Sequence, residues 1–252
     1  MKPWLEALWR LVYPEQCLVC GRVPGADRRH FCAECYQALP WVGEPSCPRC
    51  GAAAGLHAST AQGCAACRSH RFAFRRAVAP LRYQGVAREL ILAFKLGRRA
   101  SLAYVLGDLL CNYLGEGGLS QVVDLVVPVP LHWRRRVRRG FNQAGLLALE
   151  ASTRFRLPLA AGLLKRRRAT MTQTALSGLR RGANVRDAFA VRAARNGRLL
   201  DRLAGRTAVL GKRVLLVDDV FTTGSTVNEC ARVLRAAGAA EVLVATVAHT
   251  CR

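Results

Sequence analysis

A chain of 252 residues with 51% hydrophobic side chains can bury one large core, or one ordinary domain beside a small one, and is too apolar for a disordered protein. Its formal charge is +23, unevenly spread: residues 1–76 hold ten Lys/Arg against five Asp/Glu, and residues 77–252 hold 29 against 11. No stretch reaches the roughly 18 apolar residues that cross a bilayer, so no membrane span is expected.

In chain order, Met1–Tyr13 places Trp4, Leu5, Leu8, Trp9 and Val12 at helical spacing. The segment lacks an unbroken apolar stretch and a small-residue cleavage site, so it does not read as a signal peptide. It predicts a short amphipathic helix packed on the next module, and a cytoplasmic location.

Four Cys-x-x-Cys pairs come next: Cys17/Cys20, Cys32/Cys35, Cys47/Cys50 and Cys64/Cys67, separated by 11, 11 and 13 residues. Two thiolates three positions apart reach one metal from a tight turn, and two such turns complete a tetrahedron. A disulfide framework would want an exported chain, and four repeated pairs exceed what thiol exchange uses. Two structural zinc ions are expected, with every ligand supplied by protein. Sequential pairing closes the shorter loops and is preferred to an interleaved arrangement. Gly21 and Gly51 directly follow second cysteines, where a knuckle turn wants positive φ. His30, His57 and His70 read as surface histidines, and Cys111, Cys230 and Cys251 as inert thiols. Eight thiolates around two Zn²⁺ bring this first part close to neutral, so the positive field belongs to the rest of the chain.

Val78–Tyr83 and a helix over Val86–Phe94 open a second domain, with Lys95, Arg98 and Arg99 at the helix end. Cations there suit the helix dipole as well as they suit a ligand. Val122–Val129 predicts a strand ending at Pro128-Val-Pro130, followed by a basic loop, Leu131–Gly140, and a helix from Phe141. That loop holds Arg134, Arg135, Arg136, Arg138 and Arg139. Residues 165–184 form a polar stretch, with Gln173, Arg180, Arg181 and Asn184 as weak candidates for ligand contact.

Arg213–Val217 predicts a buried parallel strand, and Val227–Ala237 a helix with Gly238 past its end. Glu241–Val247 predicts the next strand. Between strand and helix lie Asp218, Asp219 and then Thr222, Thr223, Gly224, Ser225 and Thr226. A helix N-terminus and loop amides suit a phosphate, hydroxyls add donors, and Gly224 permits close backbone approach. Acceptor-only carboxylates at the strand's carboxyl end would suit neighbouring sugar hydroxyls.

The segment VLLVDDVFTTGSTV, Val214–Val227, resembles the type I phosphoribosyltransferase signature for phosphoribosyl pyrophosphate. The wider chain is similar to the ComF family of competence-associated proteins, of the ComFC/GntX kind. CLVCG, CPRCG, LILAFKLGRRASLA, VVPVPLHWRRRVRRGFNQA and TQTALSGLRRGANVRDAF occur in that family's order. The resemblance implies an α/β fold: a type I phosphoribosyltransferase-like parallel sheet flanked by helices, over 78–252, after a small double zinc ribbon over 1–70. It assigns the ribose 2′ and 3′ hydroxyls to Asp218 and Asp219, and the 5′-phosphate to Thr222–Thr226. The arginine loop, with Arg134, Arg135 and Arg138, falls in the place of the pyrophosphate loop, and 165–184 in that of the mobile flap. Mg²⁺ would arrive with phosphoribosyl pyrophosphate, held mainly by the substrate's own phosphates.

The implied role is in DNA uptake or DNA utilisation, with single-stranded DNA and DNA-uptake proteins as partners. The alternative is an active phosphoribosyltransferase on an unknown small acceptor with no nucleic-acid role. Only four of the 39 basic residues are lysines. Arginine's planar fork suits phosphate, although such a bias also arises from a GC-rich genome. Aromatic residues make up 7%, which favours backbone-driven contact with a strand.

Overall fold

The computed structural model describes residues 16–24, 30–54, 63–68, 70–96, 99–167, 187–192 and 208–250. Met1–Tyr13, the expected amphipathic helix, lies outside the described residues.

Among the described residues, five parallel strands form the main sheet: β1 (Arg76–Val78), β2 (Leu81–Arg82), β3 (Leu125–Pro128), β6 (Arg213–Phe221) and β7 (Glu241–His249). Their order is β1-β7-β6-β3, and β2 continues the β1 edge along β7. The register of β6 against β7 is constant, from Arg213 opposite Glu241 to Phe221 opposite His249. A separate antiparallel ribbon joins β4 (Leu164–Arg166) to β5 (Phe189–Val191).

Both faces of the sheet are covered, which is why its central strands are apolar throughout rather than alternating. One face carries Val126, Leu215, Val217, Leu243 and Ala245 against three helices: α3 (Gly85–Leu96), α4 (Leu102–Glu116) and α6 (Gln143–Phe155). The other carries Leu125, Val127, Val214, Leu216, Val242 and Val244 against α7 (Ser225–Ala236). In α7, Val227, Cys230, Ala231 and Leu234 are buried, a single stripe at helical spacing. Gly238 follows the C-cap Ala237 with positive φ, as expected of a helix end.

Two expectations are corrected. The strand expected to end before the acids stays paired to Phe221, so both Asp218 and Asp219 lie within it. The segment expected as a basic loop contains a short helix, α5 (Trp133–Arg139), ended by Gly140 at φ +85°. Arginine is a strong helix former, and a run of like charges does not prevent one solvated turn or two.

The cysteine-rich part holds α1 (Ala33–Gln37) and α2 (Ala65–Arg68) and packs along the outer edge of the sheet. The Val42 amide donates to Pro80 O (2.8 Å), Arg82 to Pro40 O (2.7 Å) and Ala77 to Arg49 O (2.8 Å). These bonds occupy an edge that would otherwise expose unpaired backbone groups. Gly51 is needed there: its φ is +70°, and a Cβ would sit 2.7 Å from Ala77 O. Cys47, Cys50 and Cys67 consequently belong to the same apolar core as Phe74, Val214 and Leu234.

Candidate functional site

The eight cysteines assemble into two groups, Cys17/Cys20/Cys32/Cys35 and Cys47/Cys50/Cys64/Cys67, each with all four sulfurs within 4.8 Å of one another. Neighbouring sulfurs lie at 3.7 Å (Cys20–Cys32), 3.7 Å (Cys50–Cys64) and 4.0 Å (Cys47–Cys67). A tetrahedron with Zn–S bonds of about 2.3 Å has edges of about 3.8 Å, so the donors fit zinc in sequential pairing. The Cys64 amide donates to Cys47 Sγ at 3.2 Å. Burial resists ionisation of Cys47, yet N–H donation from Cys50, Cys64 and Arg49 prevails and brings the thiol to about 7. No histidine joins either group among the described residues; His70 Nδ1 lies 2.8 Å from Ala66 O instead. Cys111 and Cys230 are buried thiols, that of Cys111 pushed up to about 12 by burial. Cys251 and His57 lie outside the described residues.

At the carboxyl end of β6, Asp218 and Asp219 are half-buried. Asp219 Oδ1 pairs with Lys95 Nζ at 2.9 Å, and Asp218 Oδ1 accepts the Asp219 amide at 2.9 Å. Burial, and then the charge of Asp219, pushes the Asp218 carboxyl up to about 7; Lys95 and Arg166 oppose that rise. Lys95 lies near the end of α3 and Arg166 closes β4, so two elements remote in sequence bring cations to the acid pair. Sequence alone suits Lys95 equally to capping a helix and to a ligand; the structure places it on Asp219. For Arg166 the sequence carries no distinguishing signal, because its neighbours are also basic.

Alternation along β6 slips at the acids. Val217 faces the α3–α4–α6 side, then Val220 faces that same side and Phe221 the α7 side. Phe221 thereby lies beneath the turn that comes next. Gly224 is the N-cap of α7 with φ +74°, and a Cβ there would meet the Phe221 ring at 2.6 Å. Glycine is therefore demanded twice, by conformation and by space. Thr223 Oγ1 and Ser225 Oγ lie 2.9 Å apart, and the Ser225 amide reaches Thr223 Oγ1 at only 3.4 Å. The N-cap residue of α7 is glycine and gives no side-chain cap, so the positive end of the helix dipole lies at the Thr222–Thr226 segment. An oxygen-rich rim beside such a helix start is suited to an anion carrying hydroxyl groups.

Arg134, Arg135 and Arg138 have their backbone in α5, which begins five residues beyond β3 on the same sheet edge; their side chains lie outside the described part. Arg136 is exposed, and Arg139 donates to Gln143 Oε1 at 3.1 Å. Trp133, just before these arginines, and Val137, among them, are exposed, an apolar surface that composition alone does not disclose. Gln173, Arg180, Arg181 and Asn184 lie outside the described residues. Among the described residues no helix is long and apolar enough to cross a membrane.

Fold and site together define a phosphoribosyltransferase-type domain joined to a double zinc ribbon. The sequence matches the double zinc ribbon domain over residues 8–70 and the phosphoribosyl transferase domain over 142–250. It is 32% identical over 237 residues to the DNA utilization protein YhgH of Escherichia coli K12, covering 93% of this chain and 96% of that one. It is 29% identical over 232 residues to Competence protein F of Haemophilus influenzae, covering 91% and 94%. Competence protein ComFC of Streptococcus pneumoniae is 23% identical over 250 residues, covering 90% and 96%. The chain belongs to the ComF family.

Among solved structures, an allosteric regulatory enzyme of purine biosynthesis aligns at TM-score 0.40 and 22% identity, over 62% of this chain and 30% of the other. Glutamine phosphoribosylpyrophosphate amidotransferase of B. subtilis aligns at TM-score 0.36 and 23% identity, over 61% and 30%.

Proposed function

We propose that this protein binds Mg²⁺–phosphoribosyl pyrophosphate and acts in the cytoplasm in DNA uptake or DNA utilisation. The observation that carries the reading is the continuity of acid pair, Gly224 and the start of α7 along one short stretch of chain. Asp218 and Asp219 accept the ribose hydroxyls, while Thr222–Thr226 and the first amides of α7 take the 5′-phosphate. Arg134, Arg135 and Arg138 take the pyrophosphate, and Mg²⁺ is held chiefly by substrate oxygens, as a hard cation with a reluctant hydration shell requires. The names of the relatives, DNA utilization protein and competence protein, support the nucleic-acid role.

Single-stranded DNA is the partner that fits the basic second domain. Arginines of α5 follow the phosphates, and Trp133 offers a ring for one base. DNA-uptake proteins are the second class of partner. Calorimetry with phosphoribosyl pyrophosphate and Mg²⁺ tests the site. Wild type should bind, and Asp219→Ala should bind at least about tenfold more weakly. Wild-type protein that gives no heat with this ligand at millimolar concentration overturns the reading.

A further inference from the structure

We infer that the second cysteine cluster, through Phe74 and Asn228, positions the sugar-phosphate turn, whereas the first cluster does not. This rests on the phosphoribosyl reading of that turn.

The path is continuous from ligand to turn. Arg49 lies inside the Cys47–Cys50 knuckle; its guanidinium donates to Cys67 O (2.6 Å) and His70 O (2.8 Å) and lies over the Phe72 ring at 5.6 Å. Phe72 stacks on Phe74 with centroids 4.6 Å apart. Phe74 meets the Phe221 ring edge to face at 6.1 Å, and Phe221 stacks on His249 at 4.7 Å. The Phe221 ring is the surface on which Gly224 rests, since any Cβ there would strike it. Alongside runs a polar tie: the Ala73 amide donates to Asn228 Oδ1 at 2.6 Å, and the Asn228 amide donates to Gly224 O at 2.8 Å.

Close-packed rings transmit displacement because no void exists to absorb it. A knuckle that opens moves Arg49 and the Phe72–Phe74 segment. Phe221 then loses one wall, and the turn that must hold its amides toward the anion is no longer fixed. The first cluster has no such route among the described residues. Phe31, beside Cys32, lies in the opposite core with α3 and α4, and no cysteine of that cluster belongs to the core containing Phe221.

The full-length protein serves for the test, with zinc released to a colorimetric chelator as the occupancy readout. Cys64→Ser and Cys20→Ser should each lose one zinc equivalent. Only Cys64→Ser should then weaken affinity for Mg²⁺–phosphoribosyl pyrophosphate, by about tenfold or more; Cys20→Ser should stay within about twofold of wild type. Phe74→Ala, which spares the ligands, should keep both zinc equivalents and weaken binding about tenfold, and Phe74→Leu should recover most of it. Hydrogen exchange of the Phe221–Val227 amides supplies a readout free of ligand, and should quicken in Cys64→Ser and Phe74→Ala alone. If wild type binds no sugar phosphate, the reading of the site falls while hydrogen exchange still decides the coupling. Exchange and affinity unchanged in Phe74→Ala, or equal losses in Cys20→Ser and Cys64→Ser, overturn the inference.

Discussion

Asp218 and Asp219 are chemically identical and adjacent, yet they stand in different fields. Asp219 holds the Lys95 ammonium at 2.9 Å, whereas Asp218 is held up to about 7 by burial and by its neighbour's charge. Between about pH 4 and pH 7 the native state thus keeps a proton that the unfolded chain, at an ordinary 3.8, releases. Asp218 therefore lowers stability as pH rises from about 4 to about 7, the sign opposite to that of a salt-bridged carboxylate. An ionised carboxylate accepts hydroxyl donors more strongly than the neutral acid, so affinity for the phosphorylated sugar should rise between pH 6 and pH 8, by up to about tenfold, read by calorimetry. Lys95→Ala removes a cation that opposes the shift, and should move the midpoint of that profile upward. Asp124 behaves in the ordinary way: hydrogen bonds from the Arg213 guanidinium and amide pull its carboxyl down to about 2.

Among the elements, the strand–turn–helix unit β6–α7 bears most of the proposed site, and the position least tolerant of a side chain is Gly224. Gly224→Ala forces a methyl into the Phe221 ring at a backbone angle disfavoured for L residues. It should cost about 1–3 kcal/mol in urea unfolding and weaken ligand binding as well. Leu234, fully buried on the inner stripe of α7, gives a contrasting case. Leu234→Ala should cost about 2–5 kcal/mol of stability while leaving the ligand affinity of the folded protein near wild type. In the proposed role, helix α5 makes two separable contributions to strand binding. Trp133→Ala should remove about 1–3 kcal/mol of affinity for single-stranded DNA without altering its salt slope. Replacement of Arg134, Arg135 and Arg138 by alanine should weaken binding and flatten that slope, measured by fluorescence titration between about 50 and 200 mM salt.

Across the molecule, the cysteine-rich part and the sheet are not independent bodies. Cys47, Cys50, Cys67 and Phe74 share an apolar core with β6, β7 and α7, and Leu39 and Phe31 join the opposite core. Metal binding to such a part is folding free energy for its neighbours. A chelator should lower the melting temperature of the entire chain in one transition, rather than release a small domain from an unchanged large one. Differential scanning calorimetry with and without chelator distinguishes the two. Two separate transitions after chelation would be the contrary result.

The features legible in the chain are local ones. Cysteine pairs three apart, an apolar run followed by two acids, and a Thr/Gly/Ser turn before a helical stripe declare their chemistry within a few residues. Sequential zinc pairing was legible for the same reason, since short loops close at lower entropic cost. The charge run at Arg134–Arg139 misled at the level of conformation, because a solvated arginine run is compatible with loop or helix and only Gly140 marks its end. Only the folded arrangement reveals that Lys95 meets Asp219, that Arg166 influences Asp218, and that Ala73 is tied to Asn228 across 155 positions. Such contacts join elements whose separation carries no periodic signal. They arise only when a twisted sheet buried on both faces brings the ends of its strands and the helices between them to one edge.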